Sequence, residues 1–575
     1  MGAPLLTILA LATLAGAQEP ASDAEADPVQ QQLLELQAQV DALQAKISAP
    51  EDLSFTVEGY YRTRGYLYHG LFASQYADDS SYNGDAHVMT QRLKLRPVFA
   101  YKDAAKLMIE LDLFGDPQTG SADVVWGDNA SRASTALFAG DPSNAGMDGL
   151  EGSGPRVTRA WTEFKVPVGL LRVGRQPSNW GMGLLANSGD GFDDPFGENH
   201  YGATYDRAMF ATKPISVVNG ILDRPDKDIP LIAAFGVDRL VEDPLIQYYG
   251  YKCDSSVTTD DPRCAPPESH SYTDETYTDA RRRPDWFANN GDDVMETVYV
   301  LMYKGEDVQY LGEPGDLSVG TYVVNRTQTE TDSNVVIADA YLRATNHGVF
   351  VEFEGLTIQG RTSAIALPGA YDPSGSAADP LYKQANIWGY VGRLGVDVPK
   401  LKAVVEHGYA SGDDNPTDAA FTGRALAPDH NVGLILYDEV IARVTANAWT
   451  EGGRGLWSNG GVYNSRYVFP WADLKPKENV DIVLGGVVAW PDKPDGAIIQ
   501  CRAGDYPDGR CADVATAGPL GWELDAALKL SWDEHMRFAV ETAYAHATDR
   551  LPLVNAGLNP SGNFFTVQTR VAWEF

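Results

Sequence analysis

Polar and apolar positions alternate with a period of two through most of this chain, from Leu53 to its last residue. In Asn563–Phe575, Phe565, Val567, Thr569, Val571, Trp573 and Phe575 share one face, and Thr566, Gln568, Arg570, Ala572 and Glu574 share the other. That period belongs to a strand. Near the start, Glu58, Tyr60, Arg62, Arg64 and Tyr66 oppose Val57, Gly59, Tyr61, Thr63 and Leu67. The next two segments set Thr90, Arg92, Lys94 and Arg96 against Gln91, Leu93, Leu95 and Pro97, then Lys106, Met108, Glu110 and Asp112 against Leu107, Ile109, Leu111 and Leu113. A β-sandwich or propeller needs a dry apolar interior, which charged alternates at this density do not suit. In a transmembrane barrel the apolar face meets lipid and the polar face meets a wet lumen.

Strand centres fall at Tyr61, Leu93, Leu111, Trp161, Leu171, Met209, Ala234, Val300, Tyr322, Tyr341, Phe353, Tyr390, Val405, Tyr467, Leu484, Leu528, Val540 and Val571. Links at Lys102 to Ala105, Val166 to Gly169, Thr345 to Gly348, Val398 to Leu401, Leu474 to Asn479 and Asp533 to His535 are short, and the long links fall on the other parity. Short periplasmic turns and long outer loops are the pattern of bacterial barrels. Two even-to-odd links, Pro214 to Ile229 and Gly305 to Leu317, read as somewhat longer. The segment Asn431 to Thr450 reads either as an additional strand pair or as a helix packed inside a loop. The predicted fold class is all-β, an antiparallel transmembrane barrel of about 18 strands. The last strand should pair with the one around Tyr61, so that no edge is left.

The N-terminus departs from this pattern. Met1 to Ala17 carries an apolar run, Leu5 to Leu14, and an Ala15-Gly16-Ala17 cleavage site, which together read as a secretory signal peptide. An acidic leader follows, and Val29, Leu33, Leu36, Val40, Leu43 and Ile47 then form a heptad seam. This coiled-coil helix is expected either to self-associate in the periplasm, as a homotrimer, or to lie as a monomer over the barrel mouth. The expected organisation is a signal peptide at 1–17, a leader and helix at 18–50 and a barrel at 51–575.

Composition sharpens the picture by exclusion. The chain has 575 residues, a formal charge of −34, and 79 acidic against 45 basic side chains, which excludes a basic nucleic-acid-binding protein. Export implies an oxidising compartment, where Cys253 would pair with Cys264 and Cys501 with Cys511 across two short outer loops. No metal or other cofactor is expected.

With the apolar face outward, the candidate pore-lining residues are Arg62, Arg64, Arg92, Lys94, Arg96, Glu110, Asp112, Arg343, Glu352 and Glu354. Opposite charges on neighbouring strands can simply stiffen the wall as ion pairs. The five cations on the first two strands, however, have few carboxylates near them in sequence, and an unneutralised ladder would attract anions. The Gly-rich loop Asn179 to Tyr201 has the length to fold inward as a constriction, with Asp190, Asp193, Asp194 and Glu198 near the pathway. Otherwise it is a solvated outer loop. Ser411 to Asp418 (SGDDNPTD) offers hard oxygen ligands for Ca²⁺ or, without EF-hand spacing, a capped turn.

The signal peptide, the alternating strands, Leu171–Gln176 (LRVGRQ), the HGYASGDDNPTD stretch and the Phe-terminated last strand together resemble large outer-membrane porins of the alginate-export kind and their uncharacterised relatives. The resemblance runs from about Leu53 onward. It implies an 18-stranded pore with arginines lining a conduit for an anionic polysaccharide. The acidic loops and mixed lumen of this chain depart from a purely basic conduit.

The function expected is a porin-like channel in the outer membrane, for passive diffusion or export of small or polymeric hydrophilic solutes, anionic ones included. One alternative is a structural or surface-interaction barrel with acidic outer loops. Another is a barrel hydrolase, which would need a nucleophile, a His and an orienting acid at one level of the wall. Neither H-E-x-x-H nor G-x-S-x-G occurs, so no enzymatic activity is expected.

Overall fold

A computed structural model describes residues 52–71, 86–114, 124–126, 156–192, 194–199, 202–225, 229–242, 294–310, 313–328, 333–362, 383–413, 419–445, 458, 460–493, 518–533, 535–551, 553 and 558–575. The expected signal peptide, the expected Val29–Ile47 helix, the four cysteines, Asp193 and the end of the SGDDNPTD stretch lie outside them.

Twenty strands follow in order: β1 Leu53–His69, β2 Ala86–Tyr101, β3 Ala105–Phe114, β4 Val124–Trp126, β5 Arg156–Val166, β6 Gly169–Pro177, β7 Thr204–Thr212, β8 Leu231–Glu242, β9 Val294–Tyr310 and β10 Glu313–Gln328. The second half comprises β11 Ser333–Asn346, β12 Val349–Thr362, β13 Lys383–Val398, β14 Leu401–Ala410, β15 Ala420–Phe421, β16 Ser465–Lys477, β17 Val480–Pro491, β18 Gly521–Trp532, β19 Met536–Ala547 and β20 Asn563–Glu574. β4 is a three-residue addition against β2, and β15 is a two-residue parallel addition against β13. The other eighteen form one closed antiparallel wall, and each contains one of the predicted centres.

Closure is made as predicted. β1 pairs antiparallel with β20, from Tyr60 opposite Glu574 to His69 opposite Phe565. Every backbone ladder therefore has a partner, which a lipid-exposed sheet requires. Outside, Leu67, Val173, Phe235, Leu301, Val405, Leu524 and Trp573 are exposed, while Arg62, Arg64, Lys94, Glu110, Glu354, Glu406 and Arg570 are buried within. Such an inverted barrel is an outer-membrane protein.

The parity rule holds, with one correction. The link expected at Gly305–Leu317 is not a loop: β9 runs on to Tyr310 and β10 begins at Glu313. Gly305 and Gly315 resemble loop residues, but the ladder continues past them through a register shift between Gly315 and Leu317. The longer link after β7 contains the short helix Pro214–Ile221, with Pro in its first turn where a missing N–H costs nothing. Apart from that link, the long connections leave from the opposite end of the barrel, including 178–203 and 411–464.

Of the two readings of Asn431–Thr450, a helix within a loop fits the described part, 431–445. Leu436–Ile441 is a π-helical turn that continues helically to residue 445, with Leu436, Tyr437, Val440 and Ile441 fully buried. It belongs to an apolar cluster that includes Leu184 and Phe196 of the 178–203 loop and Tyr467 and Phe469 of the wall.

Candidate functional site

The loop 178–203 crosses the lumen. At its start, the Trp180 indole N–H donates to Asp339 of β11 at 2.8 Å, and the backbone N–H groups of Met182 and Leu184 donate to the Glu354 carboxylate of β12. Gly181 packs so closely on Glu354, at φ +56, that a Cβ there would lie 2.4 Å from the carboxylate oxygen. At its end, Glu198 pairs with Arg62 at 2.7 Å, Arg570 at 3.1 Å and Arg64 at 3.5 Å. Between these anchors Asp190 pairs with Lys94 and, at 2.9 Å, with Arg96. Gly202, at φ +71, then turns the chain back with its N–H donating to Asp429 at 2.8 Å.

These contacts correct one expectation. The cations on β1 and β2 are not an unneutralised ladder. Arg92 pairs with Asp112 at 3.2 Å, Lys94 and Arg96 share Glu110 at 3.0 and 2.7 Å, and Arg64 also reaches Glu541 at 3.4 Å. Arg159 of β5, which sequence reasoning missed, joins Glu110 at 3.2 Å. The decisive partners, Asp190 and Glu198, come from a loop roughly a hundred or more residues away in sequence, and no local pattern reports such distances. Burial by itself would raise the Asp190 carboxyl, but Lys94, Arg159 and Arg96 outweigh it and hold the group well below the ordinary aspartate range.

Asp194 meets Asn431 at 2.7 Å, and its backbone carbonyl accepts from Lys529. Burial pushes its carboxyl upward. The loop 178–203 thus docks on the segment 411–464, which has wall anchors of its own. His430 lies 3.3 Å from Glu406 and 2.9 Å from the Tyr467 hydroxyl. The Glu523 carboxylate of β18 accepts from the N–H groups of Leu434, Ile435 and Leu436 at 2.7–2.9 Å. Those amides lead into the π-helical turn, which has no side-chain cap of its own. A wall carboxylate therefore serves as its N-terminal cap.

Water reaches only part of this assembly. In the Arg96–Asp190 pair the side chains are 28% and 29% exposed, whereas Arg62 and Glu198 are 1% exposed. Across the lumen Arg343, which pairs with Glu352 at 3.2 Å, is 39% exposed, and Arg393 is 23% exposed. Arg172, paired with Glu163 at 2.5 Å, is 38% exposed. Each of these wetted guanidiniums sits toward the short-turn end of its strand. Of the predicted residues, Arg96, Asp190 and Arg343 thus face water, and Arg62, Arg64, Arg92, Lys94, Glu110, Asp112, Glu352, Glu354 and Glu198 lie buried beneath them.

Of the SGDDNPTD stretch, the described Asp413 accepts from the Thr422 N–H at 3.2 Å, and the Ser411 hydroxyl donates to the Thr422 carbonyl at 2.5 Å.

No protein-family model and no curated protein matches the chain, so no family model stands behind the alginate-export resemblance. Among solved structures the chain is similar to Pseudomonas aeruginosa OccK5 (OpdH), at 10% identity and a TM-score of 0.43, covering 90% of this chain and 98% of that one. It is also similar to Pseudomonas aeruginosa OccK2 (OpdF) in complex with glucuronate, at 11% identity and a TM-score of 0.41, covering 90% and 96%. A BenF-like porin from Pseudomonas fluorescens Pf-5 aligns at 9% identity and a TM-score of 0.42, covering 90% and 98%.

Proposed function

We propose that this barrel is a passive, selective channel for small hydrophilic solutes, anionic ones favoured, rather than a conduit for a polymer. The observation that carries the reading is the bridge: the loop 178–203 is fixed at Glu354 on one wall and at Arg62, Arg64 and Arg570 on the other. A strap across the lumen narrows the path. The guanidiniums of Arg96, Arg172, Arg343 and Arg393 remain wetted beside it while paired with carboxylates, Arg96 with both Glu110 and Asp190 and Arg393 with both Glu406 and Glu352. Rings of such groups select by charge at close range, and pairing keeps binding weak enough for release. Asp190 and Glu198 act in this reading as the rivets of the constriction.

Purified protein in a planar bilayer should give stepwise conductance, and Arg96→Glu with Arg343→Glu should move the permeability ratio toward cations. A silent barrel, or a ratio indifferent to both reversals, would sink the reading. We further propose that Val29–Ile47 trimerises the protein, and deletion of Gln18–Pro50 should then abolish the oligomer while leaving the barrel folded. The pairs Cys253–Cys264 and Cys501–Cys511 are proposed disulfides, checked by non-reducing peptide mapping.

A further inference from the structure

The link between β7 and β8, at the short-turn end of the barrel, carries the helix Pro214–Ile221. Its C-terminus is closed by its own backbone. The Leu222 N–H donates to the Val218 carbonyl at 3.1 Å and the Arg224 N–H to the Asn219 carbonyl at 2.8 Å, and Asp223 leaves the helix at φ +51. At about 100° per residue, Ile215, Val217, Val218, Ile221 and Leu222 fall within one arc, and Ser216, Asn219 and Gly220 occupy the other. The helix is amphipathic.

A surface helix of a water-soluble protein turns its apolar stripe to the core. This one is turned the other way. Val218, Ile221 and Leu222 are 50%, 74% and 51% exposed, and Ile221 is the most exposed large hydrophobic residue among those described. The Ser216 hydroxyl, on the polar arc, is buried. The wall beside the helix has the same inversion: Phe210 and Phe235 stand opposite each other on the outer face of β7 and β8, and β7 ends at Thr212, just before the helix begins. On the outer face of β9, Tyr299 and Leu301 are exposed, and Tyr303, next on that face, lies opposite Leu231 where β8 starts. An aromatic ring at that level belongs to the girdle that marks the membrane border.

We propose that this helix is an interfacial anchor, lying in the plane of the membrane with Val218, Ile221 and Leu222 among the acyl chains of the periplasmic leaflet. Left in the periplasm, the three side chains would hold apolar area against water. Set beneath the headgroups, they extend the lipid-covered surface that Phe210 and Phe235 begin. Amphipathic helices bind membranes in this way, with the apolar face roughly 5–10 Å into the boundary of headgroups and acyl chains. Eight residues are too few to hold a membrane alone, but β7 and β8 already fix both ends of the link. Continuity with the wall assigns the exposed face to lipid rather than to a partner protein or a second copy of the chain.

The test uses the full chain with its four cysteines changed to serine, refolded into phosphatidylethanolamine–phosphatidylglycerol vesicles and carrying one nitroxide at a time, at Val218→Cys, Ile221→Cys or Leu222→Cys. Phe235→Cys on the wall gives the lipid limit, and Asp307→Cys, exposed on β9 beyond Tyr303, gives the water limit. Power-saturation electron paramagnetic resonance compares collision with oxygen, which partitions into acyl chains, and with a nickel chelate, which stays in water. At the three helix positions oxygen collision should exceed chelate collision severalfold, as at Phe235→Cys. Adding Val218→Asn and Ile221→Asn should move Leu222→Cys toward the Asp307→Cys limit. Heat-modifiable gel migration reports folding. If the serine background does not fold, p-benzoylphenylalanine placed at Ile221 in the native chain should give phospholipid adducts on irradiation. Chelate collision at the Asp307→Cys level, a label shielded from both reagents as under a second copy of the chain, or irradiation that yields only protein–protein adducts would each overturn the proposal.

Discussion

The two walls that the loop 178–203 bridges hold it by opposite chemistry. On the β1–β2–β20 side the wall supplies cations and the loop supplies carboxylates, with Glu198 among Arg62, Arg64 and Arg570 and Asp190 beside Lys94 and Arg96. On the β11–β12 side the wall supplies the acid and the loop answers with backbone N–H groups and an indole, at Glu354 and Asp339. Glu523 repeats the second arrangement for Leu434, Ile435 and Leu436. Side-chain charge fixes a loop at the point where its sequence carries charge. Backbone amides fix it wherever the chain runs with unpaired donors, whatever the side chains are. The cationic wall therefore depends on single residues of the loop, and the acidic wall depends on the loop's path.

The largest effect should follow from breaking the cationic anchor. Glu198→Gln keeps the shape but leaves three buried guanidiniums short of their shared carboxylate. Breaking a buried ion pair from one side costs about 3–5 kcal/mol. The expected outcome is a lower urea midpoint and, in bilayers, a larger and noisier conductance as the strap detaches. Unchanged conductance with lowered stability would separate the rivet from the path.

Glu523→Ala tests the acidic wall and should cost less overall, because the amides it strands can turn to water when the segment loosens. An orphaned buried donor costs about 1–3 kcal/mol. Hydrogen exchange should accelerate at Leu434, Ile435 and Leu436 while the wall strands keep their protection. If exchange spread into β18 and β19, the segment would be part of the wall's own stability.

What the sequence made legible divides along the same line. The wall was readable because alternation is local: Arg62 and Arg64 point inward wherever their partners lie, and the β1–β20 seam follows from an even strand count. Gly305 and Gly315 misled because a bulge and a loop place the same residue type in a chain. The loop Asn179–Tyr201 could be singled out by its glycines, and its acids by their charge. Which cations they meet could not be read, since Asp190 lies 96 residues from Lys94 and Glu198 372 from Arg570. The docking of Met182 and Leu184 on Glu354 left no trace at all, because backbone donors are the same in every residue but proline.

Reversal of the wetted charges isolates selectivity from anchoring. Arg96 serves both, since it holds Glu110 and Asp190 while 28% exposed. Arg343 serves the pathway alone, with Glu352 its partner at 3.2 Å. Arg96→Glu should therefore shift the permeability ratio and loosen the strap together. Arg343→Glu should shift the ratio by a comparable amount with little change in the urea midpoint. If the two variants lost stability equally, the distinction between rivet and lining would fail.

The smallest effect belongs to Arg172 and Glu163, which pair directly across β5 and β6 at the short-turn end. Neither contributes to the bridge in any contact described above, and the guanidinium is 38% exposed. Exposed pairs of this kind are worth about 0–1 kcal/mol because solvent screens them and two long side chains must be ordered. Arg172→Ala should leave the urea midpoint nearly unmoved and the strap in place, and change only the salt dependence of conductance, since a charge at the mouth acts through a screened field. A stability loss as large as that of Glu198→Gln would mean that the ion pairs of this lumen are one network. The contrast between a buried anchor and a wetted lining would then have to be abandoned.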